Sequence, residues 1–372
     1  MTRLDIVTQV ETISNVTSQR TLTNLSVQIA LNRVVEYFEW PYYLQPGVIN
    51  TVAPYSTGTA KVTNGSATIT GVGTIWTSAM VGRKFRHANE NAYYRISGFT
   101  SVTSLTIDTP YQGSTDSTGS SYSIHKDEYR LAPDVDTYKT ILQIQNGVPM
   151  ASISPAKFDK FFPTPQSLTS PVIEVMSGTK LDIYTTGTVS ATVSTTTITG
   201  SATSWLSVEG LGRMSNIIIG ANRYTVKSVD SDTQLTVYES IIATVSATTY
   251  QINLNNLRIQ TFPIPNSQEN LYYRYYRVPE FMVNNYDVPD MPNQWHYLLI
   301  YGALSFMFLE KGDIQKSENV AEMRFLEGLQ NMKKKLGSFA PDRIYRRQSQ
   351  DKAVTSGDGL EKSTFDRRYS GF

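Results

Sequence analysis

The apolar positions change period twice along the chain. Near the start, Leu4, Val7, Val10 and Ile13 recur every three residues and predict a helix over residues 2–16. Thr2 followed by Asp5 fits a capping box, in which each side chain takes up a backbone N–H left free at the helix start. "TSQRTLTN" interrupts the pattern. A second helix is expected from Thr23 or Asn24, with Val27, Leu31, Val34 and Phe38 on one face and Val35 beside them. Pro41 in "EWPYYLQPG" ends it, because proline donates no backbone hydrogen bond and restricts the residue before it.

From Ile49 to about Lys126 the pattern shortens to strands. "SATIT", "YYRISGF" and "SLTID" are alternating or β-branched, with Gly, Ser and Asn clusters between them, and "GSTDSTGSSYSI" reads as a loop or hairpin into a last strand. The design then returns. "GTAKVTNGSATITGVGTIW" (Gly58–Trp76) and "GTVSATVSTTTITGSATSW" (Gly187–Trp205) share a leading Gly-Thr, the core "TITG" and a closing Trp. Further on, "VGR" ending at Arg83 matches "LGR" ending at Arg213. "YRI" from Tyr94 matches "YTV" from Tyr224, "SLTI" from Ser104 matches "QLTV" from Gln234, and "SYSI" ending at Ile124 matches "TYQI" ending at Ile252. A steady offset of about 130 residues marks an internal repeat. It predicts two all-β modules of about 70–80 residues, a size that holds a modest core.

Between the copies, "TILQIQNGVPM" reads as a hairpin turning at Asn146-Gly147, and "SPAKFDKFF" as a helix with Ser154 at the N-cap and Pro155 at the first helical position. After the second copy, "LRIQTFPIP" and "NLYYRYYRVP" read as a strand pair. The helical period then resumes through "WHYLLIYGALSFMFL", breaks near Lys311-Gly312-Asp313, and continues with Val320, Met323, Phe325, Leu326 and Leu329. Lys333 to Lys335 oppose the helix dipole in the last turn, and Gly337 ends it. Ser338 to Phe372 is polar and unpatterned, a tail expected to be disordered alone or ordered by a partner.

These elements predict an α+β fold. Its body comprises N-terminal helices (1–48), central strands with a short helix (127–180), and later strands with C-terminal helices (255–337). The β-modules (49–126 and 181–254) are inserted into it, and the tail (338–372) extends from it.

Composition narrows the chemistry. None of the 372 residues is Cys, which excludes disulfides, thiolate metal sites and a Cys nucleophile. A net charge of +1 gives no nucleic-acid footprint. The 23 Tyr suit half-buried interfaces, where ring and hydroxyl meet different surroundings. No signal peptide is read at the N-terminus, and the longest apolar run, Trp295–Leu309, is short for a membrane span.

Candidate reactive groups are few. His296 reads as a partly buried structural histidine on an apolar helix, and His87 ("RHANEN") and His125 ("SIHKDEY") as surface-loop residues. Asp134/Asp136 and Asp287/Asp290 are carboxylate pairs of the kind a glycosidase or Ca²⁺ site uses, though such spacing is common in loops. No phosphate-cradling glycine motif or nucleophile elbow occurs. In "NLYYRYYRV", Arg274 and Arg277 alternate with Tyr272, Tyr273, Tyr275 and Tyr276. That pattern can stack single-stranded nucleic acid, but it fits an amphipathic strand better. "RIYRR" (Arg343–Arg347) is the best basic candidate for docking on another protein. The reading is therefore non-enzymatic, with no cofactor and no metal.

Four segments resemble the head-to-tail adaptor proteins of tailed bacteriophages. They are "VEYFEWPYY" (Val35–Tyr43), "EYRLAPDVDTYKTILQIQNGVPMASISPAKFDKFFP" (Glu128–Pro163), "LRIQTFPIPNSQENLYYRYYRVPEFM" (Leu257–Met282) and "VPDMPNQWHYLLIYGALSFMFLEKGD" (Val288–Asp313), in the family's order. "GVGTIWTSAMVGRKFRHANENAYYRISGFTSVTSLTI" (Gly71–Ile107) resembles small β-domains of phage structural proteins, and two such domains depart from the minimal adaptor. The resemblance implies a virion neck protein made in the host cytoplasm. It implies a homo-oligomeric ring of about twelve copies under the portal, with double-stranded DNA passing through without sequence specificity and no membrane. It further implies tail or nozzle proteins below, fibre proteins against the β-modules, and a tail docking on the portal. The tail residues expected at that contact are Arg343, Tyr345, Arg346, Arg347, Phe365, Arg367, Arg368, Tyr369 and Phe372. The alternative is a receptor- or glycan-binding fibre component carrying the β-modules.

Overall fold

A computed structural model describes residues 1–16, 19–88, 90–143, 148–162, 168–179 and 181–337, the stretch from 138 to 149 by its backbone alone. The Asn146-Gly147 turn and the whole tail, with its nine expected portal-docking residues, lie outside the described residues. The protein is α+β. Its α-helices are α1 (Arg3–Ser14), α2 (Arg20–Tyr37), α3 (Pro155–Phe161), α4 (Tyr297–Glu310), α5 (Ile314–Lys316) and α6 (Met323–Leu336). It divides into two compact units: a helical one, Met1–Leu44 with Pro279–Phe372, and a β-rich one, Gln45–Val278. No described helix is long and apolar enough to cross a membrane.

In the helical unit, α1 opens on the capping box. Thr2 N–H donates to the Asp5 carboxylate at 2.8 Å, and Asp5 N–H donates to the Thr2 hydroxyl at 3.3 Å. Its buried face is Ile6, Val7, Val10, Glu11 and Ser14, while Ile13 is 54% exposed. A three-residue spacing lags the 3.6-residue turn, so a stripe drawn every three residues rotates out of the core by Ile13. Helix α2 begins at Arg20, ahead of the expected Thr23, and buries Val27, Ala30, Leu31 and Val34. Trp40, fully buried, closes the helix by donating its indole N–H to the Val34 carbonyl at 2.6 Å.

Against α2 runs α4, apolar on most sides, and their contact depends on Gly302. A Cβ at that position would lie 2.8 Å from Ala30 Cβ and 2.9 Å from the Phe325 ring. Gly312, at φ 75°, supplies the break after α4. The chain then passes through α5 and a π-helical stretch, Ser317–Glu322, into α6. The π stretch carries Glu322 to Arg33 of α2 and Ser305 of α4, which both donate to its carboxylate. Burial raises the affinity of Glu322 for a proton, but those donors outweigh it and hold the carboxyl below its usual range.

Among the described residues, the β-rich unit holds four sheets. One orders Leu44–Asn50, Asn270–Arg277, Val135–Gln143 and Val148–Pro149; another orders Ala151–Ile153, Ile173–Thr179, Leu257–Phe262 and Glu128–Arg130. The two segments read as a strand pair, 257–262 and 270–277, therefore lie in different sheets. The connection between them contains Pro263 and Pro265 and makes no tight turn, so each strand finds its partners elsewhere.

The other two sheets contain the repeat. The first runs Asp116–Ser120, Thr59–Val62, Thr68–Val72, Ser104–Ile107, Tyr94–Ser101, Lys84–His87, Tyr122–His125. The second runs Val245–Thr248, Thr188–Ala191, Thr197–Ser201, Gln234–Val237, Asn222–Ser231, Asn216–Ile219, Tyr250–Leu254, with Asp182–Tyr184 added at the end. The spatial order is the same. Each sheet closes over its own core, around Trp76, Phe85 and Ile96 in one and Trp205, Ile217 and Val226 in the other.

Their polar frames coincide bond for bond. Trp76 and Trp205 donate to the hydroxyls of Tyr122 and Tyr250 at 2.9 and 3.0 Å. These hydroxyls donate on to the Thr57 and Thr186 carbonyls at 2.6 and 2.7 Å. Tyr55 and Tyr184 accept from the backbone N–H groups of Ile75 and Ser204. The repeat thus extends upstream to "YSTGT" and "YTTGT". Gly58 and Gly187, at φ 81° and 83°, occupy a turn where a Cβ would lie 2.5 and 2.4 Å from a carbonyl oxygen.

One sequence match is corrected by the register. Ile96 N–H bonds Arg83 O, and the equivalent Val226 N–H bonds Ser215 O. Arg83 therefore corresponds to Ser215 and not to Arg213, because the second copy carries three extra residues between its Trp and this strand.

Candidate functional site

His87 and His125 are not surface-loop residues. They lie in paired strands at 0% and 2% exposure, and burial lowers the pKa of His125 to about 4, with Asp127 opposing and Lys84 and Arg86 adding to the shift. His87 Nε2 sits 3.3 Å from the Asp116 carboxylate. His296, fully buried at the start of α4, bonds the Met291 carbonyl through Nε2 at 2.9 Å and the Met1 amino group through Nδ1 at 3.1 Å. Each histidine is thus placed in a core and not facing a cleft.

The carboxylate pairs are separated by their structural work. Asp287 accepts the N–H groups of Val283 and Asn284, both at 2.7 Å, and Asp290 accepts that of Glu280 at 3.0 Å. Asp134 is buried and accepts from Arg213 at 2.8 Å and from the Tyr275 hydroxyl at 3.0 Å, while Asp136 is exposed. Among the described residues, no group of three or more His, Asp or Glu is placed to hold a metal ion.

The Tyr/Arg strand resolves as an amphipathic one. Leu271, Tyr273 and Tyr275 face the core, and Arg274 faces out. Tyr273 accepts Ala132 N–H at 2.9 Å. Burial and the nearby Asp134 raise the pKa of Tyr275, so its hydroxyl stays protonated as a donor.

These tyrosines line an open groove of ≈ 710 Å³ between the Leu44–Asn50 edge strand and the Leu206–Arg213 loop of the second repeat. Here the second repeat is tied to the body sheets by a charge network. Asp182 accepts from both Arg130 and Arg258, the latter at 2.6 Å. Glu209 accepts from Lys126 and from Arg130 N–H at 3.0 Å. Asn256 bridges the Leu131 and Gly210 carbonyls, both at 3.0 Å. The first repeat is held by Lys84, which reaches Asp127 at 2.7 Å. Burial and the adjacent Arg258 lower the pKa of Arg130. Asp182 balances that crowding of guanidinium groups. Charges paired this closely tie the second repeat to the body sheets.

Sequence reasoning did not find this network. Asp182, Glu209 and Asn256 stand in no motif, and their partners are remote along the chain, so only the fold brings them together. No curated protein matches the chain. The family model described as SU10 adaptor protein matches residues 174–352, which takes in the second repeat, the strands at 257–262 and 270–277, and α4 to α6. Over that span the chain is similar to a phage adaptor-type protein.

Proposed function

We propose that the protein is a structural component of a phage virion, a head-to-tail adaptor. Copies of the chain, about twelve, form a ring under the portal and give genome DNA a conduit toward the tail. The observation that carries this reading is the SU10 adaptor match over residues 174–352, which includes two of the four segments that resemble adaptors in sequence. The helical unit supplies packing surfaces for the ring, and the tail from Ser338 docks on the portal through its Arg and aromatic residues. The two repeats are small β-modules inserted into the adaptor body, directed at tail, nozzle or fibre proteins.

A neutral chain suits a conduit, since a strongly basic lumen would retain DNA by counterion release. The test is purified portal protein mixed with the chain. Binding that protects Ser338–Phe372 from trypsin is the expected result. A tail cut equally fast with and without portal removes the docking role.

A further inference from the structure

The two repeats share one frame but differ at their tips in opposite senses. One tip, at the end of strand Thr68–Val72, is formed by the loop to Trp76 and the hairpin at 101–104, joined by hydrogen bonds from Thr74, Trp76 and Gly71 to Val102 and Thr103. In the first repeat it exposes Val72 (49%), Ile75 (67%) and Val102 (51%). The same register puts Ser201, Ser204 and Asp232 there in the second repeat, with Leu206 (64% exposed) donating its N–H to the Asp232 carboxylate at 2.9 Å.

The other tip lies at the opposite end of that strand. In the second repeat it exposes Val193 (46%) and Ile242 (69%). The equivalent residues of the first repeat are Asn64 and Gln112, fixed by matching bonds to Thr115 and Thr244 and to Tyr94 and Tyr224. Asn64 donates to the Gln112 and Gly113 carbonyls there, a polar closure that the second repeat lacks. The first tip is therefore apolar and uncharged in the first repeat but carries Asp232 in the second, and the other tip is apolar only in the second repeat.

We infer that the apolar tip of the first repeat seats on the apolar tip of the second repeat of a neighbouring copy of this chain. Charge supports that occupant. Residues 62–81 and 96–107 of the first repeat carry no charge, and neither do 185–208 and 240–252 of the second. Two uncharged apolar patches bury against each other without desolvating an ion. Asp232 at the polar tip would lose its hydration in the same contact, which sets the direction of pairing. The tips differ, so the contact is head to tail and propagates around a ring instead of closing a two-fold dimer. A few side chains cover much less than the roughly 800 Å² per partner of a standard interface. The contact therefore adds to a ring held elsewhere and fixes its register. It rests on the ring reading above.

The test uses the absence of cysteine. The full-length double variant Ile75→Cys/Ile242→Cys is mixed with purified portal protein, treated with a short bis-maleimide linker, and viewed by electron microscopy in the same sample. Both positions are exposed, so neither change disturbs a core. Rings with a covalent ladder reaching beyond dimer are expected, and no ladder from either single variant or from the polar pair Ser204→Cys/Gln112→Cys. Rings without a ladder overturn this contact and leave the ring standing. Absence of rings overturns the ring reading, and this contact with it.

Discussion

Trp205 donates its indole N–H to the hydroxyl of Tyr250 at 3.0 Å, and the rings meet edge to face at 84°. The first repeat makes the same contact between Trp76 and Tyr122, at 2.9 Å and 82°. Both indoles are buried, so the pair is a polar link inside an apolar core. Replacing Trp205 or Trp76 with Phe removes the donor and leaves a void. One hydrogen bond contributes about 1 kcal/mol net and the missing ring adds packing loss, so each change is expected to cost about 2–3 kcal/mol. Denaturant unfolding of the full chain checks this. Equal costs in both repeats are expected, because the frames coincide.

The first repeat keeps His87, Tyr111 and Asp116 where the second has Ile219, Ile241 and Val245. Burial, with Glu90 and Tyr94 nearby, pushes the Tyr111 hydroxyl up to about 12. Replacing all three together with Ile, Ile and Val should leave the melting temperature unchanged or higher, since exchanging a largely buried ion pair for packed apolar groups is often neutral or stabilising and outweighs the turn bonds that Asp116 accepts from Thr118, Gly119 and Ser120. Asp116→Val alone should lower it by stranding His87. A triple variant less stable than the single would refute the equivalence.

His125 carries an acid sensitivity. Its folded pKa, lowered to about 4 by burial, lies below the unfolded value of about 6.5. The unfolded chain therefore takes up the proton first, and stability falls as pH drops from about 6.5 toward 4. The loss between pH 7 and 4.5 is about 2 kcal/mol. His125→Asn, the residue at the equivalent Asn253, should flatten that part of the profile in equilibrium unfolding.

Gly302→Ala sets two effects against each other. Alanine favours a helix over glycine by about 1 kcal/mol. Its methyl would press on Ala30 and the Phe325 ring at under 3 Å, and such overpacking costs about 1–3 kcal/mol. The steric term is expected to win, and a lower melting temperature of the helical unit is the readout.

Asp134→Ala should be the most damaging single change at the junction. It strands the Arg213 guanidinium and removes the acceptor of Tyr275, a loss of about 3–5 kcal/mol for a broken buried pair. Faster proteolysis in the Leu206–Arg213 loop, with the far side of the second repeat still protected, would locate the effect. Lys61→Ala, an exchange on the first repeat well away from this pair, serves as the control.

Much of this architecture is legible in the residues. The Thr2/Asp5 capping box, the Pro41 stop, the Gly312 break and the recurrence of one β-rich unit follow from local chemistry and period. What escapes depends on distant pairing. His87 and His125 look like loop residues because polar neighbours flank them, yet strand pairing buries both. The "VGR" and "LGR" stretches look equivalent, but the hydrogen-bond register moves Arg213 out of alignment and gives it to Asp134. The charge network holding the second repeat draws residues from 130, 182, 209 and 258, a grouping that no window of sequence displays.

The central claim is that this chain builds a ring on the portal. Electron microscopy of full-length protein mixed with purified portal protein tests it most directly. The predicted result is a ring of about twelve copies, coaxial with the portal and bound at one of its ends. Portal particles that stay bare, with the chain left as separate monomers, would contradict it.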